Sequence, residues 1–411
     1  MKKTKILSVI LAIILSFCFS FAASGGAVYA DYGVLEVHYL DVGQGDCAII
    51  KLPDDKFVIV DAGDDKKEVK NKILDYIKTN FPALTYFDYA IATHTDSDHL
   101  GGMAEVLQKY PAKTVYRPNV LANYSGYEDP AAALTQDPNI DDNLKFWTDK
   151  GASVEVGQKN TAVYKRFIEQ AYKPFESDGE TIVPQVIISD GRRIDRPAEK
   201  SSQDIIGKDY KIVFYSPQKH KYSNSNDYSN IFILEFKGFE FFFSGDAESE
   251  AEKDFVKAYK DFDFDIDVFK LGHHGSRTSS SLELLELVTK ESKRHQIYAI
   301  ASCGLNNSYG HPHKETLDRL TKLGFLEENI LRTDQAGDIV FEVRADSRGN
   351  YALYYNGQKV SEEDFLRNIA EFLVSLYKES PQAFYIALGL LLVLIVFTAW
   401  AASKSKLKSK K

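Results

Sequence analysis

Six of the nine histidines in this 411-residue chain fall in three short segments: His94 and His99 in THTDSDH, His273 and His274 in LGHHGS, and His311 and His313 in YGHPH. The first segment also carries Asp96 and Asp98, and Asp246 stands between the first and second in FSGDA. Each residue taken singly reads as a surface or capping residue, but random placement would rarely gather them at the ends of strand-like runs. Imidazole nitrogen and carboxylate oxygen without thiolate suit Zn²⁺ or Mn²⁺ held for catalysis, and a bridging carboxylate lets two ions sit roughly 3.5–4 Å apart. If the H-x-D-x-D-H stretch is extended, His94, Asp96 and Asp98 project one way, and His99 swings in as the chain turns towards a helix. One loop can then serve two ions and lower the pKa of a shared water towards about 7. Gly101, Gly102 and Gly272 are expected to let backbone approach the ions, and Gly245 to present Asp246 from a turn.

The elements that must hold these residues are legible around them. VLEVHYLDV, DCAIIKLP and KFVIVDAG are strand-like and are separated by GQG and DDK turn signals. KKEVKNKILDYIKTN puts Val69, Ile73, Leu74 and Ile77 on one helical face. FDYAIATH is a strand that ends on the metal-capable loop, and GGMAEVLQKY is a helix stopped before Pro111. Residues 111–205 have weak periodicity and many Tyr, Pro, Asp and Asn residues, and read as an insertion over one face. Strands and helices then return through SGDA and HHGS to GDIVFEV. The order predicts an α/β fold of two sheets packed face to face with helices outside. Beyond it, Phe365, Ile369, Phe372, Leu373 and Leu376 share one helical face, so an amphipathic stalk helix is expected over 351–380.

Residues 1–30 have the layout of a signal peptide: basic start, apolar run, small residues up to Ala30. An uncleaved anchor is the alternative. Ala383–Ala402 carries no charge and is long enough to cross a hydrocarbon core of about 30 Å, which predicts a transmembrane helix over 381–402. Residues 403–411 supply five lysines, and positive flanks stay cytoplasmic. The domain over 31–350 is therefore expected outside the cell membrane, anchored by a single pass. The formal net charge is −9, and −17 once the three leader and five tail lysines are set aside. A chain that tracks nucleic acid without sequence preference usually carries a basic footprint, and here there is none overall. Cys47 and Cys303 form one bridge or none, which excludes a disulfide framework.

HTDSDHLGG, preceded by LDVGQGDCAII and VIVDAG and followed by FSGDA, KLGHHGS and YGHPH in the same order, resembles the metallo-β-lactamase fold. More narrowly it is similar to the extracytoplasmic domain of ComEC-type DNA-uptake proteins of bacterial competence. The resemblance implies an αββα metallo-β-lactamase sandwich with a binuclear site. It implies that His94 and Asp96 bind one ion, Asp98 and His99 the other, that Asp246 bridges them, and that His273 or His274 completes the shell. Asp61 matches a buried acid that steadies the metal loop. His311 stands near the substrate as ligand or proton donor, and with Asp98 is the expected catalytic pair. The wider fold has His at the place of Asp96 and another His where Asn230 stands here. These departures, shared with the ComEC-like branch, make one shell poorer in nitrogen and favour Mn²⁺ over Zn²⁺. The multi-span channel of that branch is absent from these residues, so the chain is not expected to move DNA through a membrane by itself.

The function expected is a surface-anchored, binuclear metal-dependent hydrolase, most simply a phosphodiesterase. Its substrate would be DNA, a cell-envelope polymer or a phosphorylcholine ester, with no protein partner implied. Hydrolysis of lactone or β-lactam bonds is the alternative chemistry, and an inactive binding protein of the same fold is the third reading.

Overall fold

The computed structural model describes residues 33–122, 125–127, 129–130, 157–189, 203–215, 222–346 and 349–360. Period-two alternation of large apolar residues builds two sheets. The first has nine strands in the order Gln185–Ser189, Ala112–Pro118, Phe87–Ile91, Phe57–Val60, Ala48–Lys51, Leu35–Tyr39, Ile339–Ala345, Tyr351–Tyr355, Gln358–Lys359. The second has seven: Ile205–Ile206, Tyr210–Phe214, Phe232–Phe236, Phe239–Phe243, Val268–Lys270, Tyr298–Ala301, Ile330–Arg332. One set of alternate residues, including Val37, Tyr39, Ile50, Val58, Phe232, Phe241 and Phe243, forms the core between the sheets. Tyr39 stacks on Phe243 at 5.6 Å, and Tyr116 on Phe214 at 4.7 Å. The opposite set, including Ile49, Ile59, Phe242 and Phe269, packs under helices through Ile73, Ile77, Val106, Phe255 and Leu284. The mixed α/β sandwich expected from the sequence is therefore present, with helices on both outer faces.

Two boundaries differ from the sequence reading. Ala112–Pro118 and Gln185–Ser189, assigned there to the insertion, are parallel strands of the large sheet, with Ala90 opposite Val115 and Ile187 opposite Tyr116. Arg117 and Pro118 hide this by breaking the apolar pattern. Residues 351–360, assigned to the stalk helix, form sheet strands instead, with Val343 opposite Leu353. Asn356 and Gly357 both take positive φ, 45° and 76°, as a two-residue hairpin turn requires. The leader, the helix over 361–378, the span over 381–402 and the tail lie outside the described residues. Among the described residues, no helix is long and apolar enough to cross a membrane.

Arg117 is buried because Asp129 pairs with it through two bonds of 2.8 and 2.7 Å, while Val120 O and Tyr164 Oη accept further bonds from it. This network ties the insertion to the sheet. Arg117→Ala leaves a buried carboxylate without its cation, so urea unfolding is expected to show a loss of about 3–5 kcal/mol. Removing Asp129 as well should cost less than the sum of the two single substitutions.

Candidate metal centre

Four strands deliver the metal-capable residues to one edge of the sandwich. Phe87–Ile91 leads to His94, Phe239–Phe243 to Asp246, Val268–Lys270 to His273 and His274, and Tyr298–Ala301 to the loop bearing His311. The loops ahead of Ala48–Lys51 and after Phe57–Val60 are zipped to them, since Asp46 N donates to Asp98 O at 3.1 Å and Ala62 N to His99 O at 2.7 Å. Asn230 fastens the strand end: its Nδ2 donates to Ala92 O at 2.8 Å and its backbone N to Thr93 O at 2.9 Å. Gly245 sits at φ 50°, where a Cβ would meet Thr93 Cβ at 2.7 Å, so the turn presenting Asp246 requires glycine. Gly101 has a different use from the one expected. A Cβ there would lie 2.0 Å from Asp65 N, so it lets two backbone segments touch rather than bringing backbone to an ion.

Asp61 accepts from Thr93 N at 2.8 Å, Thr93 Oγ1 at 2.6 Å and His99 Nδ1 at 2.7 Å. With Nδ1 committed, His99 turns Nε2 inward, 3.1 Å from Asp246 Oδ1 and 3.4 Å from His274 Nε2. His274 Nδ1 donates to Ser302 O at 2.9 Å, leaving its Nε2 3.3 Å from Asp98 Oδ2 and 3.7 Å from Asp246 Oδ2. His94 Nε2 lies 3.6 Å from Asp246 Oδ2 and, though fully buried, has no hydrogen-bond partner among the described residues. Three inward imidazole nitrogens and two carboxylates thus converge, and an orphaned buried nitrogen is costly unless something coordinates it. These residues fit a divalent cation.

One atom each of Asp46, His99, Asp246 and His274 lies within 4.8 Å of the others. Asp46, however, stands on the Nδ1 side: Oδ1 is 3.3 Å from His274 Nδ1, and Oδ2 is 2.9 Å from the buried Lys270 ammonium. Ser302 O takes the Nδ1 hydrogen bond of His274, and Asp46 adds negative charge behind the ring, whereas Asp61 accepts the Nδ1 bond of His99 directly. Sequence reasoning missed both residues of the Asp46–Lys270 pair. Asp46 reads as the first residue of the strand-like run DCAIIKLP after the GQG turn, and Lys270 as part of an apolar strand, where a lone buried cation was the available signal.

The remaining expected residues line a cavity of about 660 Å³ above the centre. Asp96 pairs with Lys159 at 2.6 Å. His273 lies outward of His274, with Nδ1 3.0 Å from Glu248 Oε1 and Nε2 3.7 Å from Asp246. Both histidines take left-handed backbone, φ 48° and 56°, a strain typical of functional sites. His311 Nδ1 accepts from Gln44 Nε2 at 3.3 Å, and Asn307 clamps its backbone on both sides. Cys47 and Cys303 are free and buried.

Burial, aided by His99, holds His94 below the usual imidazole range. Burial opposes the charged forms of His99 and His274 too, but Asp246 and Asp61 raise His99 well above 6.5, and Asp246 and Asp46 raise His274 to about 9. Asp98 and Asp246 are lowered against their own burial by the neighbouring histidines, Asp98 to about 2. Burial and the facing His274, His273 and His313 lower His311 to about 4.

The Metallo-beta-lactamase superfamily profile matches residues 40–294. ComE operon protein 3 of Bacillus subtilis (strain 168) is 23% identical over 332 residues, 78% of this chain and 34% of that protein. Competence protein ComA of Neisseria gonorrhoeae is 33% identical over 128 residues, 31% of this chain and 17% of that protein. The chain therefore spans about a third or less of these relatives' lengths. Among solved structures, Igni18, a metallo hydrolase from Ignicoccus hospitalis, shares 14% identity over 78% of this chain and 98% of its own, with a TM-score of 0.33.

Two outcomes follow from this geometry. Asp61→Asn keeps the shape but removes the full charge behind His99, and Mn²⁺ or Zn²⁺ affinity measured by calorimetry should fall about 10–100-fold. In the chelator-treated chain, His94 and His311 titrate lower folded than unfolded, so stability should rise with pH up to about 6.5. His99 and His274 titrate higher, so stability present below 6.5 should be lost as pH rises towards about 9. Metal loading, which needs deprotonated ligands, should abolish that alkaline decline in thermal melts at pH 6.5 and 9.

Proposed function

The chain belongs to the metallo-beta-lactamase superfamily, and from that premise we propose that it is a metal-dependent hydrolase of phosphodiesters. The observation that carries the reading is the meeting of His94, His99 and His274 Nε2 with Asp246 and Asp98 on the floor of an open cavity. Divalent ions held there, two in number and Mn²⁺ or Zn²⁺ in kind, would neutralise charge on a phosphoryl oxygen and make water nucleophilic near neutral pH. Such a carboxylate-rich floor suits a charged phosphoryl centre better than a neutral lactone or lactam carbonyl.

The residues divide the work by position. Asp246 reaches His94, His99 and His274 at once and is the only carboxylate among the described residues placed to bridge them. Asp61, Asp46 and Ser302 O orient imidazoles from behind. His311, neutral at pH 7, is ready to accept a proton or a hydrogen bond. An anionic substrate that offsets the surrounding imidazoles would let it return that proton to the leaving group.

The resemblance to ComEC-type DNA-uptake proteins supports DNA as substrate, whereas a net charge of −17 outside leader and tail supports a cell-envelope phosphodiester. The charge-free stretch Ala383–Ala402 supports a surface anchor with the hydrolase outside. With Mn²⁺ or Zn²⁺ the full-length chain should hydrolyse bis(p-nitrophenyl) phosphate, and Asp246→Ala should reduce kcat/KM by at least about 10³-fold. No turnover with either metal, or turnover of nitrocefin alone, sinks the proposal. Parallel single-stranded DNA and phosphorylcholine ester assays separate the substrates.

A further inference from the structure

We propose that Lys159, delivered by the insertion, is the residue that contacts the substrate's anionic group; the assignment rests on the phosphodiester reading and deepens it. Lys159 lines the cavity together with Asp98, Asp246 and His274, and its ammonium lies 2.6 Å from Asp96 Oδ1. Its side chain is 24% exposed, whereas Lys66, the other described lysine lining the cavity, is 66% exposed and held by Asp64. The described lining residues also include Asp64, Asp96, Asp98 and Asp246. An anionic substrate entering among four carboxylates needs a cation of the chain's own, and Lys159 is the inner one.

The frame around Lys159 fixes where it stands. Its strand Gly157–Lys159 pairs in parallel with Val120–Ala122, which places Ala122 opposite Lys159. Two residues later Thr161 caps the helix Ala162–Ala171 by accepting from Tyr164 N at 3.3 Å. That helix is tied on both sides: Tyr164 Oη donates to Val120 O and receives Arg117, while Arg166 pairs with Asp65 at 2.7 Å. These ties, buried at Arg117 and Tyr164 and exposed only at Arg166, fix the strand end and helix start that flank Lys159 beside the metal loop. When a phosphate arrives, the ammonium exchanges a carboxylate oxygen for a phosphoryl oxygen with no change in its donor role.

Calorimetry on the full-length, Mn²⁺-loaded chain with inorganic phosphate tests this without relying on turnover. Lys159→Gln should weaken phosphate binding by about tenfold, with Lys159→Arg staying within about threefold and Mn²⁺ affinity unchanged in both. KM for bis(p-nitrophenyl) phosphate should rise in parallel while kcat falls less than about threefold, because the contact is made equally before and during reaction. Absence of phosphate binding to the wild type, equal binding by wild type and Lys159→Gln, or a loss of Mn²⁺ affinity that accounts for the whole change overturns the assignment. If the wild type binds phosphate but turns over no phosphodiester, the functional reading fails while the phosphate titration still decides Lys159.

Discussion

Asp61 touches no reacting atom in any reading of this site, yet the arrangement depends on it. Three short bonds to its carboxylate fix the backbone of Thr93, the hydroxyl of Thr93 and the Nδ1 face of His99. Holding those bonds requires a positive φ of 55° at Asp61, an uncommon conformation for an aspartate that only dense surroundings maintain. The return is orientation: an imidazole bound through Nδ1 has one remaining nitrogen, and it points where Asp246 and His274 are. Ser302 O and Asp46 repeat the device for His274, so the metal-facing nitrogens are aimed by atoms on the far side of each ring.

The same geometry creates an electrostatic problem that the fold must answer. Asp46 and Asp246 are both at least nine-tenths buried, and carboxylates buried this closely cannot stay ionised without nearby positive charge. Lys270 answers for Asp46. For Asp246 the answer is protons on His99 and His274 or, in their place, divalent ions. Protons and metal are thus alternative occupants of one charge deficit, and the buried, unpartnered Nε2 of His94 is the atom that protons serve least, since burial keeps it neutral.

What the sequence revealed and what it hid follow from range. The strand, loop and helix around His94–Gly102, and the strand ends before Asp246 and His274, are local patterns and stand where period and turn chemistry put them. Asp46, in the loop before Ala48–Lys51, and Lys270, at the end of Val268–Lys270, lie far apart in the chain, and nothing local marks an aspartate after Gly-Gln-Gly as the partner of a buried lysine. Arg117 is a similar case. A charged residue in a strand argues against burial unless its partner is known, and Asp129 lies in a stretch without periodicity. The Asn356–Gly357 hairpin was legible in principle, but the apolar helix pattern downstream drew residues 351–360 into the wrong element.

The division between floor and rim explains why family membership leaves the substrate open. His94, Asp246 and His274 stand in the loops that follow strands, and Asp98 and His99 in the short helix Ser97–Leu100, which backbone bonds to Asp46 and Ala62 hold in place, so the floor is set mainly by the two sheets. The rim is built otherwise. Lys159 comes from the insertion, and Tyr309, 65% exposed and stacked on His311 at 5.6 Å, comes from the loop after Tyr298–Ala301. Loops tolerate change because few buried contacts constrain them. A floor that gathers metal ligands can therefore stay the same while the rim varies, and the insertion shapes a part of the cavity wall that the shared motifs do not.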